Sequence, residues 1–160
     1  MMLILLSLLC IHMHSVFAAP VNDLEKGETA AGIIGGNHSS IYYLETQNTD
    51  MLTVGIQYLD LKENNNATDF YAQLKINESL RAIAGNRAIG SASKYYMGAA
   101  VKNSLIPEVD GYAAVIAGSG FQELQLGASY KITDTNDINI SFCTVTGNKS
   151  SIGIGLSCRF

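Results

Sequence analysis

The sequence predicts an all-β chain, folded as an antiparallel up-and-down transmembrane β-barrel of ten strands, with eight as the alternative count. Three observations predict it. Segment after segment alternates apolar with other residues at a period of two, the mark of a strand whose faces meet different surroundings. The second face of those segments is mostly Gly, Ser, Gln and Asn with an occasional Lys or Arg, whereas a sheet facing water usually carries Lys, Glu, Arg and Thr. The chain is 48% hydrophobic and 15% charged, yet beyond residue 18 no run approaches the roughly 20 apolar residues that a membrane-crossing helix needs.

At 160 residues the chain has the length of one domain. It is too apolar for disorder. A net charge of −4 with ten Lys+Arg argues against a nucleic-acid partner, which needs a basic face. Three cysteines are too few for a disulfide scaffold.

Residues 1–18 read as a secretory signal peptide. Met1 to Ala18 holds no charged side chain, Leu3 to Cys10 is apolar, and Val16 and Ala18 place small residues at −3 and −1 of a cut after Ala18. The run is too short for a spanning anchor. No lipid-attachment motif precedes Cys10, because Leu9 stands where a small residue is required. Residues 19–160 are then the barrel domain.

The strands follow in order. Ala30 to Gly35 and Ser40 to Thr46 supply the two strands that raise the count from eight to ten. Leu52, Val54, Ile56 and Tyr58 form the apolar row of the next. Phe70, Ala72, Leu74 and Ile76 form another. Leu80 to Ile89 and Tyr112 to Gly120 alternate less cleanly, and their small residues suggest bulges or tight packing. Tyr95, Met97, Ala99 and Val101 restore the pattern. The last three strands are the clearest, with apolar rows Leu124 to Ile132, Ile138 to Phe142, and Ile152 to Leu156. Both termini belong on the periplasmic side. Connections near residues 148, 120, 91 and 65 then face outward, and turns near 134, 108, 78 and 48 face the periplasm. Leu105 to Asp110 reads as one such turn.

The final strand, Ser151-Ile-Gly-Ile-Gly-Leu-Ser-Cys-Arg-Phe160, ends on an aromatic residue in the outward register. This resembles the carboxy-terminal signal of bacterial outer-membrane barrels. With Tyr95 to Phe160 it is similar to the last strands of small barrels of the YfaZ-like group and of the OmpX-like size class. The resemblance implies residence in the outer membrane and contact with its lipid. It implies insertion by the barrel assembly machinery through Phe160, and a monomer. The chain has no tryptophan, so aromatic girdles would be built from Tyr42, Tyr58, Tyr95, Tyr112, Tyr130 and Phe160. The rival is the anchor of a trimeric autotransporter, with Tyr112 to Phe160 as its four strands and Ala67 to Ser104 as a helix. Gly85, Gly90 and Gly98 weaken that helix.

Chemistry is sparse, and no catalytic, metal or cofactor site is expected. The polar rows would line the lumen with Gln57, Gln73, Lys75, Lys102, Gln125, Ser129, Lys131 and Arg159. Buried cations need partners, and Glu45, Asp60 and Glu123 are the candidates. A barrel of eight to ten strands is nearly filled by its own side chains, so a plugged interior is expected over an open pore. The role would be structural, adhesive or a narrow passage. Cys143 falls on the polar face and Cys158 on the apolar one, so no disulfide can join them. His38, near Ser39 and Ser40, is the one histidine after residue 18. It supports the alternative of a lipid hydrolase or protease, and nothing beside it suggests a nucleophile or an oxyanion site.

Overall fold

The structure, a computed structural model, describes residues 20–37, 39–61, 66–145 and 150–160. The expected signal peptide and His38 lie outside the described residues.

Ten strands form one sheet: β1 (Thr29–Gly36), β2 (Ser39–Gln47), β3 (Leu52–Leu61), β4 (Ala67–Lys75), β5 (Leu80–Ile89), β6 (Ala92–Ile106), β7 (Val109–Gly118), β8 (Phe121–Lys131), β9 (Asn136–Val145) and β10 (Ser151–Arg159). Each pairs antiparallel with its sequence neighbours, and β1 pairs with β10, so the sheet closes as an up-and-down barrel. The count is ten rather than eight because β1 is long enough to bridge β2 and β10 at once, with Ile33 opposite both Tyr42 and Leu156. The proposed autotransporter helix over 67–104 is replaced by β4, β5 and most of β6. Closure satisfies every strand's two edges, which a membrane's interior demands.

The even count puts the start of β1 and the end of β10 at one mouth. There lie the turns β2–β3, β4–β5, β6–β7 and β8–β9; we call it the terminal mouth. The other five connections mark the loop mouth. Two of these are tight two-residue turns, closed by Gly90 (φ 57) and Gly120 (φ 86), a left-handed conformation that suits glycine. One expectation is narrowed and one is resolved. The turn expected over Leu105 to Asp110 is shorter: β6 runs to Ile106, only Pro107 and Glu108 turn, and the pairing with β7 shifts between Ser104 and Ile106. Of the bulges or tight packing expected in Leu80 to Ile89 and Tyr112 to Gly120, the structure shows tight packing, since both strands pair there in unbroken register.

The small residues of those strands serve packing across the ladder. Five inward aromatic rings each lie over the glycine directly opposite on the next strand: Tyr43 over Gly32, Tyr71 over Gly55, Tyr96 over Gly85, Tyr112 over Gly127 and Phe121 over Gly118. A Cβ on Gly127 would come 2.2 Å from the Tyr112 ring. Tyr112 is therefore buried inside and does not belong to an outer girdle. Gly155 is still more constrained, because a Cβ there would lie 2.2 Å from the backbone oxygen of Ile33. That oxygen belongs to the closing ladder and cannot swing aside as a ring can. Gly155→Ala is expected to cost about 1–3 kcal/mol by overpacking, read from the urea midpoint of the folded barrel.

The outer surface is apolar around the wall. Leu44, Ile56, Leu74, Met97, Val115, Leu126, Ile140 and Ile154 all point outward, with exposures from 38% for Ile56 to 71% for Met97. Tyr42, Tyr58 and Tyr95 stand outward on the loop-mouth halves of their strands, and Tyr130 and Phe160 at the terminal mouth. Tyr42 and Tyr58 are cross-strand partners with ring centroids 6.4 Å apart. Soluble monomers rarely expose apolar patches beyond a few hundred Å², and an apolar band edged by aromatic rings is the surface of a barrel in lipid.

Candidate functional site

The candidate site is the lumen, and it is built in layers. The first layer is a charged cluster on the strands' loop-mouth halves. Arg87 of β5 is 3% exposed and donates from Nε and Nη2 to the Asp69 carboxylate of β4, at 2.8–3.0 Å. Its Nη1 reaches Glu123 Oε2 of β8 at 3.3 Å, across the bore. The guanidinium carbon sits 4.9 Å from the Phe121 ring centre and 5.6 Å from that of Tyr96, within cation–π range. Gln57 donates to Asp69 Oδ2 at 2.9 Å, and Gln125 donates to Glu123. Both carboxylates are fully enclosed. One fixed fork thus ties β4, β5 and β8 together, a task suited to arginine's planar donors.

The second layer is the segment before β1. Pro20, Val21 and Asn22 are buried although they belong to no strand. Asn22 donates its side-chain amide to Glu45 at 2.7 Å, and Tyr71 donates its hydroxyl to the same carboxylate at 2.8 Å. Val21 lines a small enclosed cavity with Gln57, Tyr71, Gln73, Ile83, Tyr96, Ala114, Ile116 and Gln125. Its volume is about 20 Å³, room for about one water molecule. Gln73 Oε1 is buried without a protein hydrogen-bond partner and is suited to hold that water. Lys26-Gly27 then turns the chain, with Gly27 at φ 88 and its N–H bonded to Gln47 O, and delivers it into β1.

The third layer is the terminal mouth. Asp23 pairs with Arg81 at 2.5 Å and Lys102 at 3.7 Å. Lys102 and Lys131 share Asp110 at 3.3 and 3.6 Å, Arg159 meets Asp137 at 3.3 Å, and Lys75 meets Glu78 at 3.0 Å. Beside them Ser129 donates to Asn139, which donates to Ser157.

The eight polar residues read from the sequence are divided by this arrangement. Gln57, Gln73, Lys102, Gln125 and Ser129 are buried inside the wall. Lys75, Lys131 and Arg159 occupy the same inward rows but sit at the rim, partly exposed. Of the candidate partners, Glu45 and Glu123 are enclosed, and Asp60 is not: it faces outward, and Leu59 takes the inward place. Asp69 holds the role given to Asp60. Arg81, Arg87 and the Asn22–Asp23 pair went unread. The signal in β5 was hidden because its outward row contains Ala82, Ala84, Asn86 and Ala88, while its inward row mixes Arg81 and Arg87 with Ile83. Cys143 is buried in the lumen, Cys158 faces out, and no disulfide joins them.

The architecture recurs in solved structures. KdgM porin in complex with disordered oligogalacturonate superposes with a TM-score of 0.60 at 9% identity, covering 83% of this chain and 99% of that one. KdgM porin alone gives 0.52 at 8% identity, over 83% and 99% of the two chains. This chain has the fold of a small outer-membrane β-barrel. The N-terminal barrel domain of Pseudomonas aeruginosa OprF also matches, at 14% identity and a TM-score of 0.45, over 84% and 98%. These neighbours are porins and barrel domains, and none is named as an enzyme. No protein-family model and no curated protein matches the barrel.

Proposed function

We propose that this chain is an outer-membrane barrel with a structural role, closed through its length by its own residues, and not a catalyst or an open porin. The observation that carries the reading is the filled lumen: the Arg87–Asp69–Glu123 cluster, five inward aromatic rings and residues 20–22 occupy the bore. A site for hydrolysis would need an accessible nucleophile beside its base, and the interior offers enclosed, packed groups. The apolar wall supports lipid as the medium around it. Phe160 exchanges backbone hydrogen bonds with Thr29 at 2.9 Å in both directions, which fits a terminal residue that helps to complete the barrel during assembly. We assign the assembly machinery as its partner there, and a monomer as its working state.

Fractionation followed by electrophoresis with and without boiling tests the location. The protein is expected in the outer membrane and is expected to migrate faster unboiled. Reconstitution in a planar bilayer tests the closure, and the expected result is no steady conductance. Recovery from the soluble periplasm, or stable channels in the unmodified protein, would overturn this reading.

A further inference from the structure

The segment that enters the bore is attached differently from everything around it. Residues 20–24 make no backbone hydrogen bond to a strand among the described residues. They are held by the burial of Pro20, Val21 and Asn22, by one amide donated from Asn22 to Glu45, and by the Asp23 carboxylate. Asp23 keeps 57% of its side chain exposed at the mouth, while the Arg81 side chain it binds is 4% exposed. A buried guanidinium is costly to leave unpaired, whereas a carboxylate that is already half in water is not. The two halves of this contact therefore have different needs: the segment can leave only as another carboxylate takes the place of Asp23 on Arg81.

Asp23 is the one carboxylate paired with Arg81 among the described residues. Lys102 reaches Asp110, but Asp110 is shared with Lys131, and Asp137 belongs to Arg159. We propose that Arg81 and Lys102 form a carboxylate-binding site at the terminal mouth, that Asp23 occupies it as a ligand from the same chain, and that residues 20–23 are a plug which a small soluble carboxylate can displace. Displacement would open a blind pocket from the mouth as far as Gln57, Gln73 and Gln125. The Arg87 cluster would still close the bore beyond it. The proposal rests on the closed lumen described above and adds a condition under which part of it opens.

The test places a single thiol on the plug. Val21→Cys is made in a full-length chain whose three native cysteines are replaced by serine, and the barrel is probed in outer-membrane vesicles permeabilised to a small water-soluble maleimide. Val21 is 3% exposed, so labelling is expected to be slow. Asp23→Lys sets like charges against Arg81 and Lys102 and is expected to speed labelling roughly tenfold or more. Adding Arg81→Glu re-forms the pair with its sign reversed and is expected to restore protection, which a general loss of packing would not allow. Asp23→Asn, which removes the tether without repulsion, covers the case in which Asp23→Lys does not assemble. Citrate at constant ionic strength is expected to speed labelling saturably where chloride does not, and to lose that effect in Arg81→Gln. Slow labelling in a folded, heat-modifiable Asp23→Lys or Asp23→Asn barrel would overturn the plug. Labelling indifferent to citrate would overturn the carboxylate site. Neither outcome touches the membrane reading, which fails instead on fractionation or on conductance of the unmodified protein.

Discussion

Arg87→Leu is expected to destabilise the barrel by about 3–5 kcal/mol, the cost of leaving buried carboxylates without their counter-charge. Asp69 and Glu123 are both enclosed, and the Arg87 guanidinium is the cation that reaches each of them. Without it, two like charges face each other across the bore with only neutral donors. Gln57 and Tyr96 donate to Asp69, Tyr96 at 3.5 Å; Gln125 and Cys143 donate to Glu123. The effect should belong to the charges and not to the lost side-chain volume. Adding Asp69→Asn and Glu123→Gln to Arg87→Leu is therefore expected to recover a large part of the loss, because neutral groups cost less to bury. Urea unfolding in lipid vesicles, followed by the fraction that keeps its fast electrophoretic migration, measures both. A single variant within about 0.5 kcal/mol of the parent, the range of ordinary surface changes, would show that water reaches the cluster and that the bore is not packed there.

Leu126→Arg is the second large effect, expected at about 2–4 kcal/mol in a bilayer. Leu126 stands midway along β8, 45% exposed on the outer wall. On a soluble protein, exchanging an exposed leucine for arginine would change stability little and would improve solubility. In lipid the same exchange pushes a guanidinium among acyl chains at the depth where it is most costly. Thr133→Arg, in the turn between β8 and β9, should stay within about 0.5 kcal/mol. Equal, near-zero effects at the two positions would mean that the apolar wall does not meet lipid.

The two faces of the sheet differed in how plainly they could be read. The outward face was legible because lipid asks only one thing of it: Leu124, Leu126, Ile140, Ile152 and Ile154 recur at a period of two and are outward in the structure. The inward face must satisfy several requirements at once. It takes charges where they can pair, rings where a glycine lies opposite, and aliphatic groups such as Ile41 and Leu59 where neither is available. Tyr112 was read outward for this reason, since its place depends on Gly127, fifteen positions later and one strand away. Asp60 failed for a related one: an acidic residue at the end of a strand can face either way, and the neighbouring inward place, opposite Ile41, goes to Leu59. The Asp69–Arg87–Glu123 cluster draws on three strands. No local window contains it. The segment at 20–23 carries no period at all, and its place inside the barrel is a property of the closed cylinder.

The pairing of β1 with β10 sets Ala30 opposite Arg159, about 130 residues along the chain, and that single ladder joins the first strand to the last. Every other ladder is a local hairpin that can zip as soon as its two strands exist. This one cannot begin until the final residues have arrived, and a nine-stranded precursor would offer two raw edges to a medium with no water to satisfy them. The β1–β10 ladder is therefore the one whose closing removes both edges together, and Phe160 and Thr29 mark its end with two backbone hydrogen bonds.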